Sequence, residues 1–104
     1  MHVERIKYER SGGFAGVRMA TDVKLDDLPE EQAETIKELL DDLDFDELPE
    51  QMLDESVPDQ FTYTITVETD KGEHTVVTGD SSAPEKMQEL LQLLNRLART
   101  RRKQ

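Results

Sequence analysis

Two histidines, 24 acidic residues and no cysteine are what this 104-residue chain offers to chemistry. Without thiols, neither disulfides nor thiolate metal sites can form. His2 lies at the frayed start and His74 within a strand-like run, where it reads as a sheet-surface residue. Neither belongs to a His-Glu-x-x-His motif, a histidine cluster or a nucleophile elbow. Asp42, Asp44 and Asp46 stand two apart, as do the first three ligand positions of an EF-hand loop. The rest of that pattern fails, because the sixth position is Glu47 rather than glycine and the twelfth is Leu53 rather than glutamate. These acids read as a solvated helix end and loop. No feature pairs two carboxylates in an apolar pocket, as tuned acid-base catalysis requires. The residues do not make an enzyme, and they call for no cofactor.

The stretch Ser11-Gly12-Gly13-Phe14-Ala15-Gly16 is the more informative one. It lacks the spacing of phosphate-loop and dinucleotide fingerprints and the helix that must follow them. Three glycines in six residues instead suggest a hairpin tip with positive-φ positions or a close backbone approach. A turn needs the glycines but does not need Phe14. Two readings stand: Phe14 folds back onto a nearby core, or the loop displays it to a partner.

The elements that must position this loop follow from patterning. Val3 to Arg10 reads as a strand, with Ile6 and Tyr8 alternating against Arg5, Lys7 and Glu9. Val17 to Leu25 alternates more clearly, with Val17, Met19, Val23 and Leu25 on one face, which predicts a hairpin with one wet face. Helix-start chemistry follows in Asp26 to Glu31, with Asp27 as the cap candidate and a first-turn proline. Ala33, Ile36, Leu39, Leu40 and Leu43 then predict an amphipathic helix from about Pro29 to Leu43. Residues 44–60 form an irregular acidic connector that tucks in Phe45, Leu48 and Met52.

Phe61, Tyr63, Ile65 and Val67 alternate with Thr62, Thr64, Thr66 and Glu68, the strongest strand signal in the chain. Asp70-Lys71-Gly72 turns into a second strand over about Glu73 to Thr78. Ser82 to Glu85 combines a capping box with an early proline. The helix that follows carries Met87, Leu90, Leu91, Leu94, Leu97 and Ala98 on one stripe and ends in a basic tail, residues 100–104, read as a solvated, fraying end. The expectation is a single α+β domain over residues 1–104: a four-stranded antiparallel sheet with two helices on one face, in the order ββα-ββα. The threonines would lie on the open face.

Chain direction carries the reading further. With the glycine loop at the top of the sheet, the second strand descends, helix one returns upward and the connector begins near the top. If the third strand starts there, the fourth ascends, and its exit loop Gly79-Asp80-Ser81-Ser82 sits beside the first loop. The shorter connection favours this arrangement over the one that sends the loops to opposite ends.

Charge narrows the partners. A formal net charge of -11 disfavours phosphate backbones and anionic membranes, so neither nucleic acid nor membrane is expected. Hydrophobic residues make up 35% and aromatics 5%, so the core must be aliphatic. No apolar run approaches a signal sequence or a membrane span, and the default location is the cytoplasm.

At this point the residues resemble a family. Tyr8 to Val17, Asp27-Leu28-Pro29, the Asp44-Phe45 and Leu48-Pro49 pairs, Phe61-Thr62-Tyr63 and Ala83-Pro84-Glu85 before a leucine-rich helix are similar to the emfourin-like proteins. Those are small bacterial and archaeal inhibitors of thermolysin-family metallopeptidases, especially protealysin-like ones. The resemblance covers residues 3 to 99, and its most specific piece is Glu9 to Gly16. It implies an inhibitor that is a monomer when free, with a thermolysin-like metallopeptidase as partner. In the family an aspartate on one loop is thought to meet the catalytic zinc of the enzyme, while apolar residues of a neighbouring loop occupy substrate subsites. Asp80, with Ser81 beside it, matches the carboxylate by its place before the last helix. Phe14, flanked by Gly13 and Ala15 and followed by Val17, matches the apolar loop. On the residues alone, Asp80 could equally be a turn residue.

Two other classes make different demands. An acidic adaptor or nucleic-acid mimic would use the carboxylates of helix one and the connector, and would bind a basic protein in a salt-sensitive way. A small assembly domain would use the open sheet face or an edge strand and would self-associate.

Overall fold

The computed structural model describes residues 3–12, 18–52, 61–79 and 83–101. Four strands, β1 (Val3–Gly12), β2 (Met19–Lys24), β3 (Phe61–Thr69) and β4 (Gly72–Gly79), form one antiparallel sheet in the order β2-β1-β3-β4. Two helices, α1 (Glu30–Leu43) and α2 (Glu85–Arg101), follow the two hairpins in the expected order. The period-2 patterns meet in register: Ile6 faces Val23 on one side and Val67 on the other, and Tyr8 lies opposite Ile65. Their side chains share one buried face with Val76 of β4. Both helical stripes close over that face. Ala33, Ile36, Leu39 and Leu40 of α1 join Met87, Leu90, Leu91, Leu94, Leu97 and Ala98 of α2 in a single apolar cluster. Burial of this kind, at roughly 25 cal/mol per Å² of apolar surface, is the main force holding the domain together.

The opposite face stays wet. Thr66 and Thr75 share a hydroxyl hydrogen bond of 2.9 Å there. Arg5 pairs with Asp22 at 2.7 Å and Lys7 with Glu68 at 3.1 Å.

Three expectations are corrected. Asp27 does not cap α1. It ends a short 3₁₀ turn over Leu25–Asp27, and Pro29 holds the N-cap position, its carbonyl accepting the Ala33 N–H at 3.0 Å. Proline supplies the extended entry angle, and Leu25 and Leu28 enter the core instead of leaving Asp27 free to cap.

Helix α1 does not return to the top of the sheet before the connector begins. It ends at Asp44, whose left-handed φ of 50° reverses the chain and sends Phe45 into the core against His74 of β4. The connector then climbs beside β4. His74 Nε2 meets the Leu48 carbonyl at 2.8 Å, Val77 N–H donates to the Glu50 carbonyl and Met52 N–H donates to the Val77 carbonyl. This segment covers the β4 edge with backbone hydrogen bonds, which removes a site of unwanted pairing.

His74 is likewise not on the open face. It sits partly buried on the helix side, its ring meeting Phe45 edge-on at 5.6 Å.

Candidate functional site

Strands β1 and β4 both run antiparallel to β3, so they point the same way and end at the same edge of the sheet. The register fixes how close those ends are. Gly12, the last residue of β1, lies opposite Phe61, and Gly79, the last of β4, lies opposite Thr62. The two exits therefore flank the start of β3, about two strand spacings or roughly 10 Å apart. Of the two arrangements open to the sequence, this is the one in which both loops leave together.

Gly12 ends its strand with φ of 97°, a left-handed conformation that side chains disfavour and glycine adopts readily. On the far side of the loop, Arg18 resumes the described chain. It is well exposed, and its Nε donates to the Glu9 carboxylate across the hairpin.

Beneath the exits the sheet is stiffened by aromatic side chains. Tyr8 and Tyr63 stack with ring centroids 6.3 Å apart, and Phe61 tilts against Tyr63 at 6.5 Å. The Tyr8 hydroxyl donates to the Asn95 side-chain oxygen, tying this row to α2. The Arg10 guanidinium lies over the Phe61 ring, 4.5 Å from its centroid. On the β4 side, Thr78 and Gly79 are buried. The chain re-enters at Ala83, whose carbonyl accepts the Gln88 side-chain amide at 3.0 Å. A recess of about 210 Å³ opens there between Tyr63, Ala83, Gln88, Leu91, Gln92 and Asn95.

The sequence-predicted contact residues Gly13, Phe14, Ala15, Val17, Asp80 and Ser81 lie outside the described residues, as does the Ser82 cap. What the structure fixes is their anchors, Gly12 and Arg18 for one loop, Gly79 and Ala83 for the other. Among the described residues no group of three or more histidine, aspartate or glutamate side chains is placed to hold a metal ion. The Arg10–Phe61 stack was missed by the sequence reading. Its signal lies in the diagonal neighbours of a paired register, which cannot be read before β1 and β3 are known to pair.

Comparison with known proteins adds an independent line. A family model described as Emfourin matches residues 8–95. Among curated proteins the chain has no match. Among solved structures it is similar to one titled emfourin (M4in) from Serratia proteamaculans, an M4 family peptidase inhibitor. The two are 21% identical over 85% of each chain, with a TM-score of 0.48.

Proposed function

The chain belongs to the emfourin family, and from that premise we propose that it is a protein inhibitor of thermolysin-like zinc metallopeptidases, not an enzyme. One observation carries the reading of its site: the chain leaves β1 at Gly12 and β4 at Gly79 on either side of the start of β3, at one edge of the sheet. Phe14 is two residues beyond the first exit and Asp80 one beyond the second. Consecutive Cα atoms are 3.8 Å apart, so the chain holds these two residues within roughly 20 Å of one another, a span that one cleft can take.

The chemistry follows from what such a cleft contains. The enzyme's zinc is held by three protein ligands and keeps a fourth position for water, beside an apolar side-chain pocket. In our reading the Asp80 carboxylate takes the water's place on the zinc and Phe14 fills the pocket. Gly13 lets the backbone approach closely, while Ala15, Val17 and Ser81 complete the contact. Removing the water removes the nucleophile. Loops anchored at both ends resist the extended pose that a scissile peptide must adopt, so binding blocks turnover without itself being turned over.

The test is a titration against a purified thermolysin-like peptidase with a peptide substrate. Phe14→Ala and Asp80→Ala are each expected to weaken inhibition by about 30- to 1,000-fold, the cost of losing about 2 to 4 kcal/mol at a central anchor, with little change in Tm. Asp80→Asn separates the two roles open to this residue, since asparagine keeps turn-forming ability but loses the anionic oxygen. It should inhibit as poorly as the alanine variant. Undiminished inhibition by the Phe14→Ala, Asp80→Ala double variant would reject the site.

A further inference from the structure

Arg10 is the residue that nothing above accounts for. The chain holds 24 acids to 13 lysines and arginines, and its neighbours on the sheet are paired: Arg5 with Asp22, Lys7 with Glu68 and Glu73, Arg18 with Glu9. Among the described residues Arg10 has no carboxylate partner, and its Nε is buried without an acceptor. It stands opposite Met19 and Tyr63, on the helix-side face, two pairs below the Gly12–Phe61 exit. The face of its guanidinium lies on Phe61.

This arrangement has a consequence. Stacking occupies the flat face of a guanidinium and leaves its edge, with the terminal N–H groups, available in the plane. It also holds the fork in place, so little side-chain freedom remains to be lost when a ligand is bound. A planar fork of this kind matches a carboxylate through two parallel hydrogen bonds. Phosphate-rich partners would meet the same fork, but the net charge of -11 repels a polyanion while a single carboxylate on a protein surface is tolerated.

We infer that Arg10, held flat on Phe61, is a specificity residue that receives an aspartate or glutamate side chain from the rim of the target peptidase's cleft. The inference rests on the inhibitor reading above, and it gives the inhibitory edge a third, cationic contact beside its apolar and anionic tips.

The experiment uses the full chain and four proteins, wild type, Arg10→Met, Arg10→Lys and Arg10→Glu, titrated against a thermolysin-like peptidase at low and high salt. Methionine keeps apolar bulk over Phe61 and removes the charge. Arg10→Met should raise the inhibition constant about ten- to a hundredfold, Arg10→Lys less, and Arg10→Glu more than Arg10→Met, with Tm unchanged. The gap between wild type and Arg10→Met should narrow at about 0.5 M salt, where surface charges are screened within a few ångströms. Wild-type potency in Arg10→Met, or equal potency in Arg10→Glu and Arg10→Met, overturns the assignment. So does a fall in Tm that tracks the loss of inhibition, which would make Arg10 part of the scaffold. Failure of this inference alone is recognisable, because Asp80→Ala would still weaken inhibition to the extent expected above. A wild-type protein that does not inhibit sinks the inhibitor reading, and this inference with it.

Discussion

The β3–β4 hairpin closes through Asp70 and Lys71 alone, whereas the β1–β2 hairpin places residues 13–18 between its strands. In the short turn the Thr69 hydroxyl closes the tip locally. The Thr69 hydroxyl accepts the Lys71 N–H at 3.1 Å and donates to the Gly72 carbonyl at 3.2 Å, and Gly72 supplies the positive φ of 125°. The long link also begins with a positive-φ glycine, Gly12, but continues through a further two glycines and an aromatic that closing the hairpin does not require. One end of the sheet is a minimal closure. The other, where β4 also exits, carries more chain than connection demands, and that excess is where a binding function can reside without disturbing the core.

The most severe way to break this contrast is to make the two ends alike. Replacing residues 13–18 with a two-residue Asn-Gly turn should leave the sheet and both helices folded, since the apolar cluster among the described residues is drawn from the strands, the helices and the other connections. Inhibition of a thermolysin-like peptidase should fall by at least about a hundredfold, the loss of roughly 3 kcal/mol of anchor contacts. Circular dichroism and the inhibition constant check the two halves of this statement separately. A shortened variant that inhibits normally would show that the excess chain serves something else.

A smaller effect, of opposite kind, is expected at the closed end. Gly72 has open space around the position of a Cβ, so Gly72→Ala meets no clash and suffers only the strain of φ at 125°. Such strain costs about 1 to 3 kcal/mol, offset by a few tenths to 1 kcal/mol from the stiffer unfolded chain. Tm should drop by on the order of 5 to 10 °C, with the inhibition constant unchanged. A change in inhibition without loss of stability would mean that the two ends communicate, contrary to the division of roles drawn here.

The two ends also differ in how far the sequence alone reveals them. Strict alternation in Phe61 to Val67 and the stripe from Met87 to Ala98 name their buried faces directly, because one side of each element must leave water. The Asp70-Lys71-Gly72 turn is legible for the same local reason. The return of Glu50 to Met52 alongside β4 is not, since it is made by backbone hydrogen bonds that carry no side-chain pattern. Pro29 as the cap in place of Asp27 is a contest between local hydrogen bonding and the burial of Leu25 and Leu28, and only packing decides it. At the candidate site, the sequence leaves two placements for the exits of Gly12 and Gly79, and the observed one is that favoured by the shorter connection, although α1 does not return upward as that reading expects. The Arg10–Phe61 stack depends on the register between β1 and β3, and no periodicity announces it.

The smallest predicted effect concerns the open face, away from both loops. Lys7 lies 3.1 Å from Glu68 and 3.9 Å from Glu73. Its hydrogen bond to Glu68, helped by the opposite charge, holds the Glu68 carboxyl below the usual carboxylate range and the Lys7 ammonium above the usual lysine range. A depressed carboxylate contributes stability that is fully present above its unfolded value and is lost as pH falls through the folded one. A raised ammonium contributes stability that is fully present below its unfolded value and is lost as pH rises through the folded one, on the alkaline side. At neutral pH both contributions are in place. Lys7→Met should therefore lower Tm slightly near neutrality, by less than Gly72→Ala does. Its acid limb should be shallower, because Glu68 no longer takes up a proton more readily on unfolding. Thermal melts of wild type and variant across the acid range measure this slope directly. Parallel curves would show that the pair is held by the sheet without stabilising it, as many exposed ion pairs are. Inhibition should not change, since Lys7 lies opposite Thr66, well down the strand from the Gly12 exit.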